Sequence, residues 1–275
     1  RATLEEWLSL MQGWQTPAAY RERVSREREE WQREVDRVYA GTGTPIVSQG
    51  EVIGILNEFT GPSDVILNAA GSLPGDLHKL WRARDPKQYH LEYGYSCMGY
   101  EIAAGLGVKM AAPDREVYVL VGDGSYLMLA QEIVTSIQEG VRLTILILDN
   151  HGFASIGGLS QSVGCSGFLT QYRQRDRRSG QLEGDVLAVD FAANAESLGA
   201  RAIRACTPQA IRAALEAARG ADRTTAIVIP VDPEQRVAGY ESWWDVPVAE
   251  VSALEAVQKA RAEYVRARTA ERHFL

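Results

Sequence analysis

Gly122-Asp123-Gly124-Ser125 stands between an apolar run, Val117-Tyr118-Val119-Leu120-Val121, and a segment of helical character. A strand that turns straight into a helix leaves backbone N–H groups facing whatever lies before the turn, which suits a phosphate. Glycine lets the backbone approach closely, and the Asp123 carboxylate can hold a hard cation against that phosphate. Alone the motif is weak, because a Gly-Asp-Gly turn also serves as a plain strand-to-helix connection. A second run, Leu143 to Leu148, ends in Asp149-Asn150-His151-Gly152. If the two runs are neighbouring parallel strands, Asp123 and Asn150 meet at one edge of the sheet. Mg²⁺ takes near-octahedral oxygen coordination, often completed by phosphate and water. The Asp123 carboxylate, the Asn150 side-chain oxygen, one backbone carbonyl, diphosphate oxygens and a water would fill that shell.

Competing motifs fail on inspection. No Gly-x-x-x-x-Gly-Lys-[Ser/Thr] occurs, and Gly105-Leu106-Gly107-Val108-Lys109-Met110 lacks the third glycine of a dinucleotide fingerprint. Gly94-Tyr95-Ser96-Cys97-Met98 misses the final glycine of a nucleophile elbow, so a serine hydrolase is poorly supported. Cys97, Cys165 and Cys206 are far apart and form no Cys-x-x-Cys motif or disulfide framework. A reducing, cytoplasmic setting fits them.

The elements that must position Asp123 and Asn150 follow from periodicity. Residues 1–44 read as helical, with Thr16 as a cap before Pro17 and Val24, Trp31, Val35 and Val38 near helical spacing. This region is read as a linker or appendage, punctuated by Gly41-Thr42-Gly43-Thr44-Pro45; residues 45–275 form the main domain with a carboxyl-terminal helix. Ser48-Gln49-Gly50-Glu51 has capping-box spacing ahead of a helix. Strands are predicted at 64–67, 117–121, 143–148, 200–204 and 226–229. Helices are predicted at 97–111, 126–139, 190–198, from Thr207-Pro208 to Gly220, and from about 250. Short apolar strands alternating with helices indicate an α/β fold, a parallel sheet with helices on both faces. Ligands in such sheets bind beyond the strands' carboxyl ends, which points to the loops after residues 67, 121 and 148.

The 275 residues are 45% hydrophobic and 24% charged, with a net charge of -7. That balance argues against a nucleic-acid binder. The cluster Arg173, Arg175, Arg177 and Arg178 reads as a solvated loop. No stretch approaches the roughly 20 apolar residues of a membrane span. The start, Arg1-Ala2-Thr3-Leu4-Glu5-Glu6, does not resemble a signal peptide. Because it is Arg rather than Met, processing, truncation or a further upstream part is an expectation.

With Asp123 and Asn150 standing 27 positions apart, the segment from Gly122 to Asn150 resembles the motif of thiamine diphosphate-dependent enzymes. The resemblance implies that Asp123, Asn150 and the Gly152 carbonyl hold Mg²⁺, and that backbone groups at Gly124, Ser125 and Phe153 meet the diphosphate. Asp149 departs from the second Asn of many relatives, but that position is not a metal ligand. Gly71, Ser72 and Leu73 lie where acetolactate synthase-like enzymes have another diphosphate-binding loop. Tyr95-Ser96-Cys97-Met98-Gly99-Tyr100 is similar to the segment that bends the cofactor. There Met98 would prop the V-shaped cofactor and the Ser96 carbonyl would contact the aminopyrimidine; ordinary core packing of Met98 is the alternative. His78 and His90 flank these loops and could contact substrate or phosphate or be structural; His151 is not expected to ligate the metal.

Longer strings narrow the resemblance. Ala69 to Trp81, Tyr93 to Glu101, Asn150 to Leu159 and Glu241-Ser242-Trp243-Trp244-Asp245-Val246-Pro247 resemble the carboxyl-terminal part of the hydrolases that open 3D-(3,5/4)-trihydroxycyclohexane-1,2-dione in myo-inositol catabolism. Trp243-Trp244 would close the core or an interface. The resemblance implies cleavage of the carbon–carbon bond between the two carbonyls of the cyclic dione, the thiazolium serving as electron sink, with water releasing 5-deoxyglucuronate. Alternatives are an acetolactate synthase-like carboligase or decarboxylase, and a non-catalytic cofactor-binding fragment or subunit. In this family the activating glutamate lies on a pyrimidine-binding domain, on the same chain or a partner. The residues before Pro45 are too few for that domain, and Glu51 and Glu58 have no motif support for the role. The chain is therefore expected to supply the diphosphate half of the site within a homo-oligomeric enzyme, and to be inactive alone.

Overall fold

The computed structural model describes residues 1–239 and 245–272. In chain order the elements are α1 (Ala2–Leu10), α2 (Ala18–Ala40), α3 (Gln49–Phe59), β1 (Val65–Asn68), α4 (Leu73–Leu80), β2 (Tyr89–Leu91), α5 (Tyr100–Ala111) and β3 (Val117–Gly122). They continue with α6 (Asp123–Met128), α7 (Glu132–Gln138), β4 (Thr144–Asp149), α8 (Ala154–Ser162), α9 (Phe191–Ser197), β5 (Arg201–Arg204), α10 (Pro208–Arg219), β6 (Thr225–Pro230) and α11 (Glu255–Thr269). The Trp243-Trp244 pair lies outside the described residues.

The six strands form one sheet in the order β2-β1-β3-β4-β6-β5, every pair parallel. Alternation along each strand feeds two cores. Ile66, Tyr118, Leu120, Leu146, Leu148, Ile227 and Ile229 face one side, where α3, α4 and α10 cover them. Val65, Leu67, Val117, Val119, Val121, Ile145 and Ile147 face the other, under α5, α7 and α9. Burial on both faces explains why these strands read as unbroken apolar runs. The chain leaves β1 for β2 on one flank and returns to β3 on the other. The crevice beyond the ends of β1 and β3 is therefore a topological switch point, where such sheets bind ligands.

Local chemistry sets most boundaries. The Ser48 hydroxyl accepts from the Glu51 N–H at 3.1 Å, and Thr207 Oγ1 accepts from Ala210 N–H at 3.2 Å. Asp190 caps α9 through the Ala193 N–H at 3.0 Å. Thr16 is not the cap of α2: Pro17 holds that position with no side-chain cap bond. The helix expected over 126–139 is two helices, α6 and α7. The chain breaks at Leu129, packed so tightly on Gly99 that a Cβ there would lie 2.9 Å from Leu129 Cβ. Helix α5 begins at Tyr100, so Met98 sits in the preceding turn, and α11 starts later than expected, at Glu255. Strand β2 was not anticipated, being three half-buried residues long. Nor were α4 and α8.

Helix α1 is exposed throughout, whereas the far half of α2 is anchored. Val35 is buried, Trp31 Nε1 donates to the Lys79 carbonyl at 2.9 Å, and the Tyr39 hydroxyl donates to the Leu80 carbonyl at 2.7 Å. Arg82 adds an ion pair to Asp36 at 2.7 Å. Of the four apolar residues that suggested one helical face, Val24 is exposed and Trp31, Val35 and Val38 pack against α3 and α4. No helix among the described residues is long and apolar enough to cross a membrane.

Candidate functional site

The register of β3 and β4 pairs Gly122 with Leu148, so the residues just past both strand ends are neighbours. Asp123 is fully buried there. Its Oδ2 accepts from the Gly152 N–H at 2.9 Å, tying the turn after β3 to the turn after β4. Asp123 Oδ1 and Asn150 Oδ1 are closed to water and have no hydrogen-bond partner among the described residues. An orphaned buried acceptor costs about 1–3 kcal/mol, so two just past the ends of neighbouring strands call for an explanation. A hard cation supplies one, since both are oxygen ligands of the kind Mg²⁺ prefers. No cluster of three His, Cys, Asp or Glu side chains that could hold a metal occurs among the described residues. A metal at Asp123 and Asn150 would thus need further oxygens from backbone, phosphate and water.

Electrostatics agree. Burial first, and then the nearby Asp149 charge, push the Asp123 carboxyl well above the ordinary carboxylate range; the Gly152 and Gly124 N–H groups oppose this only partly. A cation bound there would relieve that penalty. Asp149 itself turns to His151, accepting from its N–H at 3.1 Å and lying 3.1 Å from Nδ1. The imidazole is thereby directed to Asp149. His78 packs on Tyr89 and Tyr93, and His90 Nε2 meets the Tyr100 hydroxyl at 3.0 Å.

Above this corner opens a cavity of about 440 Å³. Gly71, Ser72 and Leu73 line it from the loop after β1, Ser96 and Met98 from the turn before α5, and Gly124 and Ser125 from the turn after β3. Asn150, Gly152 and Phe153 line it from the turn after β4, so of the proposed cofactor-binding residues only Asp123 lies beneath the floor rather than on it. Met98 is half-buried on the cavity wall and belongs to neither core cluster. The N–H of Phe153 is already given to the Thr170 carbonyl at 2.8 Å, so its ring rather than its amide donor is what it offers the cavity. Two glycines are required by contact: a Cβ on Gly124 would lie 2.7 Å from the Phe153 ring, and one on Gly152 2.2 Å from the Thr170 carbonyl oxygen.

Sequence reasoning missed three residues here. Glu101 is fully buried, and its carboxylate accepts from Ala70 N–H at 3.1 Å, Gly99 N–H at 3.2 Å and the Ser125 hydroxyl at 2.7 Å. It therefore joins three of the four loops that line the cavity. A charged residue one step from Ile102 on a helix that faces the core was the available signal. Gln49 accepts from the Ser72 hydroxyl at 3.2 Å and donates to Asp76 at 2.6 Å. Tyr172 reaches the same corner from the irregular segment after α8, and nothing in its sequence neighbourhood announces it.

A doubly covered parallel sheet with a switch-point cavity and a helix-opening Gly-Asp-Gly turn defines the class of α/β domains that bind a ligand beyond the carboxyl ends of their strands. Residues 69–229 match the family described as thiamine pyrophosphate enzyme, C-terminal TPP binding domain, and the chain belongs to that family. Among known proteins it is similar to the 3D-(3,5/4)-trihydroxycyclohexane-1,2-dione hydrolase of Geobacillus thermodenitrificans, 41% identical over 266 residues, covering 88% of this chain and 42% of that protein. The enzyme of the same name from Clostridium tetani is 40% identical, covering 88% and 41%. The Bacillus cereus hydrolase 2 of that name is 45% identical over 214 residues, covering 78% and 33%. The chain thus spans about two fifths of the length of the first two relatives. A solved structure, the thiamine diphosphate-dependent 4-hydroxybenzoylformate decarboxylase of Rhodococcus jostii RHA1, shares the fold with a TM-score of 0.58 at 21% identity, covering 70% of this chain and 34% of that one.

Proposed function

We propose that this chain forms the diphosphate- and Mg²⁺-binding half of a thiamine diphosphate-dependent hydrolase that opens the ring of 3D-(3,5/4)-trihydroxycyclohexane-1,2-dione to 5-deoxy-D-glucuronate. The observation that carries the reading is 40–45% identity to hydrolases of that name across a stretch that includes the cavity. Asp123 and Asn150 would hold the metal through their orphan oxygens, with the Gly152 carbonyl as third protein ligand. Gly124 and Ser125 would bring the backbone to the diphosphate, and the loop Gly71-Ser72-Leu73 would close over it. Met98 would brace the bent cofactor, and the Ser96 carbonyl would fix the aminopyrimidine. The bound cofactor supplies the electron sink for breaking the bond between the two carbonyls. The residues of this chain anchor it, orient it and shield it from water.

The activating glutamate belongs to a pyrimidine-binding domain, on the same chain or a partner, in a cytoplasmic homo-oligomer. Glu58 is engaged instead with Arg212 at 2.7 Å, and Glu51 lies against Gly41. Residues 1–44 are an appendage, the far half of whose second helix packs on α3 and α4 of the domain. The test is product analysis with the cyclic dione and with pyruvate, using the chain alone and combined with the amino-terminal part of a relative. Ring-opened acid formed only in the combined sample is expected. Turnover of pyruvate but not of the dione would overturn the substrate, and dione hydrolysis by the 275 residues alone would overturn the division of labour.

A further inference from the structure

Ser96 has a φ of 51°, in the left-handed region that a residue carrying a Cβ enters only at a cost. It lines the cavity with Tyr93 and Met98, on the turn that runs from the end of β2 to the start of α5. A strained residue in a cavity wall persists only when its surroundings hold it there.

Glu92 holds the chain on either side of Ser96. Its Oε1 accepts from the Tyr95 N–H at 2.9 Å, and its Oε2 accepts from the Cys97 N–H at 2.8 Å. Glu92 is itself tied to the sheet, because its own N–H donates to the Asn68 carbonyl at the end of β1 at 3.3 Å. The carboxylate is taken up by backbone donors rather than by a cation. Those donors, Cys97 first, hold its carboxyl below the ordinary value, so it is charged at neutral pH.

The Cys97 N–H and the Ser96 carbonyl belong to one peptide unit. That unit is planar and trans, so its N–H and C=O point in opposite directions. Anchoring the N–H on Glu92 therefore aims the Ser96 carbonyl away from Glu92 and fixes its direction. A charged acceptor on the N–H side also polarises the unit, which makes its oxygen a stronger acceptor.

We infer that Glu92 is a positioning residue, which aims the Ser96 carbonyl at the amino group of the cofactor's aminopyrimidine and strengthens it as an acceptor. The inference rests on the reading of the cavity as a thiamine diphosphate site. Glu92 does not line the cavity, so its effect on a ligand there passes through the turn.

Glu92→Ala removes both acceptors. Calorimetry with Mg²⁺ on the 275-residue chain compares three probes: thiamine diphosphate, its analogue with oxygen in place of the pyrimidine amino group, and inorganic pyrophosphate. The variant should bind thiamine diphosphate about three- to ten-fold more weakly. It should bind the other two probes as wild type does, because neither can give the amino hydrogen bond. Glu92→Gln, which keeps one acceptor and loses the charge, should fall between. Equal proportional losses for all three probes would make Glu92 a structural turn residue and overturn the inference, as would unchanged thiamine diphosphate affinity. If Asp123→Ala loses binding while Glu92→Ala does not, the cavity reading stands and the inference falls. A wild-type chain indifferent to thiamine diphosphate would overturn both.

Discussion

Glu101 joins three of the four loops of the cavity, and the consequence of removing it can be worked out bond by bond. Glu101→Leu keeps the side chain's approximate bulk but removes both acceptor oxygens. The Gly99 N–H retains a partner, because it also reaches Ser125 Oγ at 2.8 Å. The Ala70 N–H and the Ser125 hydroxyl lose theirs and stay buried. Each orphaned group costs about 1–3 kcal/mol, and the buried leucine returns part of that, leaving a net loss of about 2–4 kcal/mol. For a domain of this size that lowers the melting temperature by roughly 5–15 °C. Glu101→Gln is the informative partner. Burial holds the Glu101 carboxyl above its ordinary value against the pull of Ser125, Ala70 and Gly99. An amide keeps an acceptor for the Ala70 N–H and a polar group beside Ser125, so the loss should be clearly smaller than for leucine. Thermal and denaturant unfolding of both variants measure the difference, and cofactor titration should show weakened binding in Glu101→Leu. A leucine variant as stable as wild type would refute the reasoning. So would a glutamine variant as damaged as the leucine one, because the charge rather than the hydrogen bonds would then matter.

Met98→Ala should weaken thiamine diphosphate binding or turnover in the assembled enzyme while costing less stability than the roughly 2–5 kcal/mol of a core methionine, since Met98 is half-buried on the cavity wall. Paired unfolding and titration check it, and a full core-sized loss with normal binding would return Met98 to ordinary packing. Asp123 gives a pH dependence. Its folded-state carboxyl is raised above the unfolded value, so its contribution to stability is present below about pH 4 and is lost as pH rises through the folded value. Metal-free melts across this range should therefore fall more steeply in wild type than in Asp123→Asn, and parallel curves would contradict the assignment.

What the sequence disclosed was whatever rests on local pattern. The long buried strands β3, β4 and β6 stand out because both faces are covered, and Gly122 to Ser125 with Asn150 carry their spacing openly. The β2 strand was hidden because three half-buried residues after Asp85-Pro86 show no period. The break between α6 and α7 was hidden for a different reason: it depends on Leu129 meeting Gly99, a contact between segments 30 residues apart. The same holds for the site. Gly71, Ser72, Leu73, Ser96 and Met98 were found through resemblance, whereas Glu101, Gln49 and Tyr172 matter through partners that only the fold brings near. Tyr172 is the extreme case, since its relation to Gly124 spans the whole of β4 and α8.

The central claim is that Asp123 and Asn150 bridge a metal to the cofactor's diphosphate. Calorimetric titration of thiamine diphosphate, with and without Mg²⁺, into wild type, Asp123→Ala and Asn150→Ala tests it directly. Wild-type binding should require the metal. Both variants should bind more weakly, Asp123→Ala more so, because it loses a charged ligand and the acceptor of the Gly152 N–H, whereas Asn150→Ala loses a neutral one. Metal-independent binding, or unchanged affinity in both variants, would contradict the account.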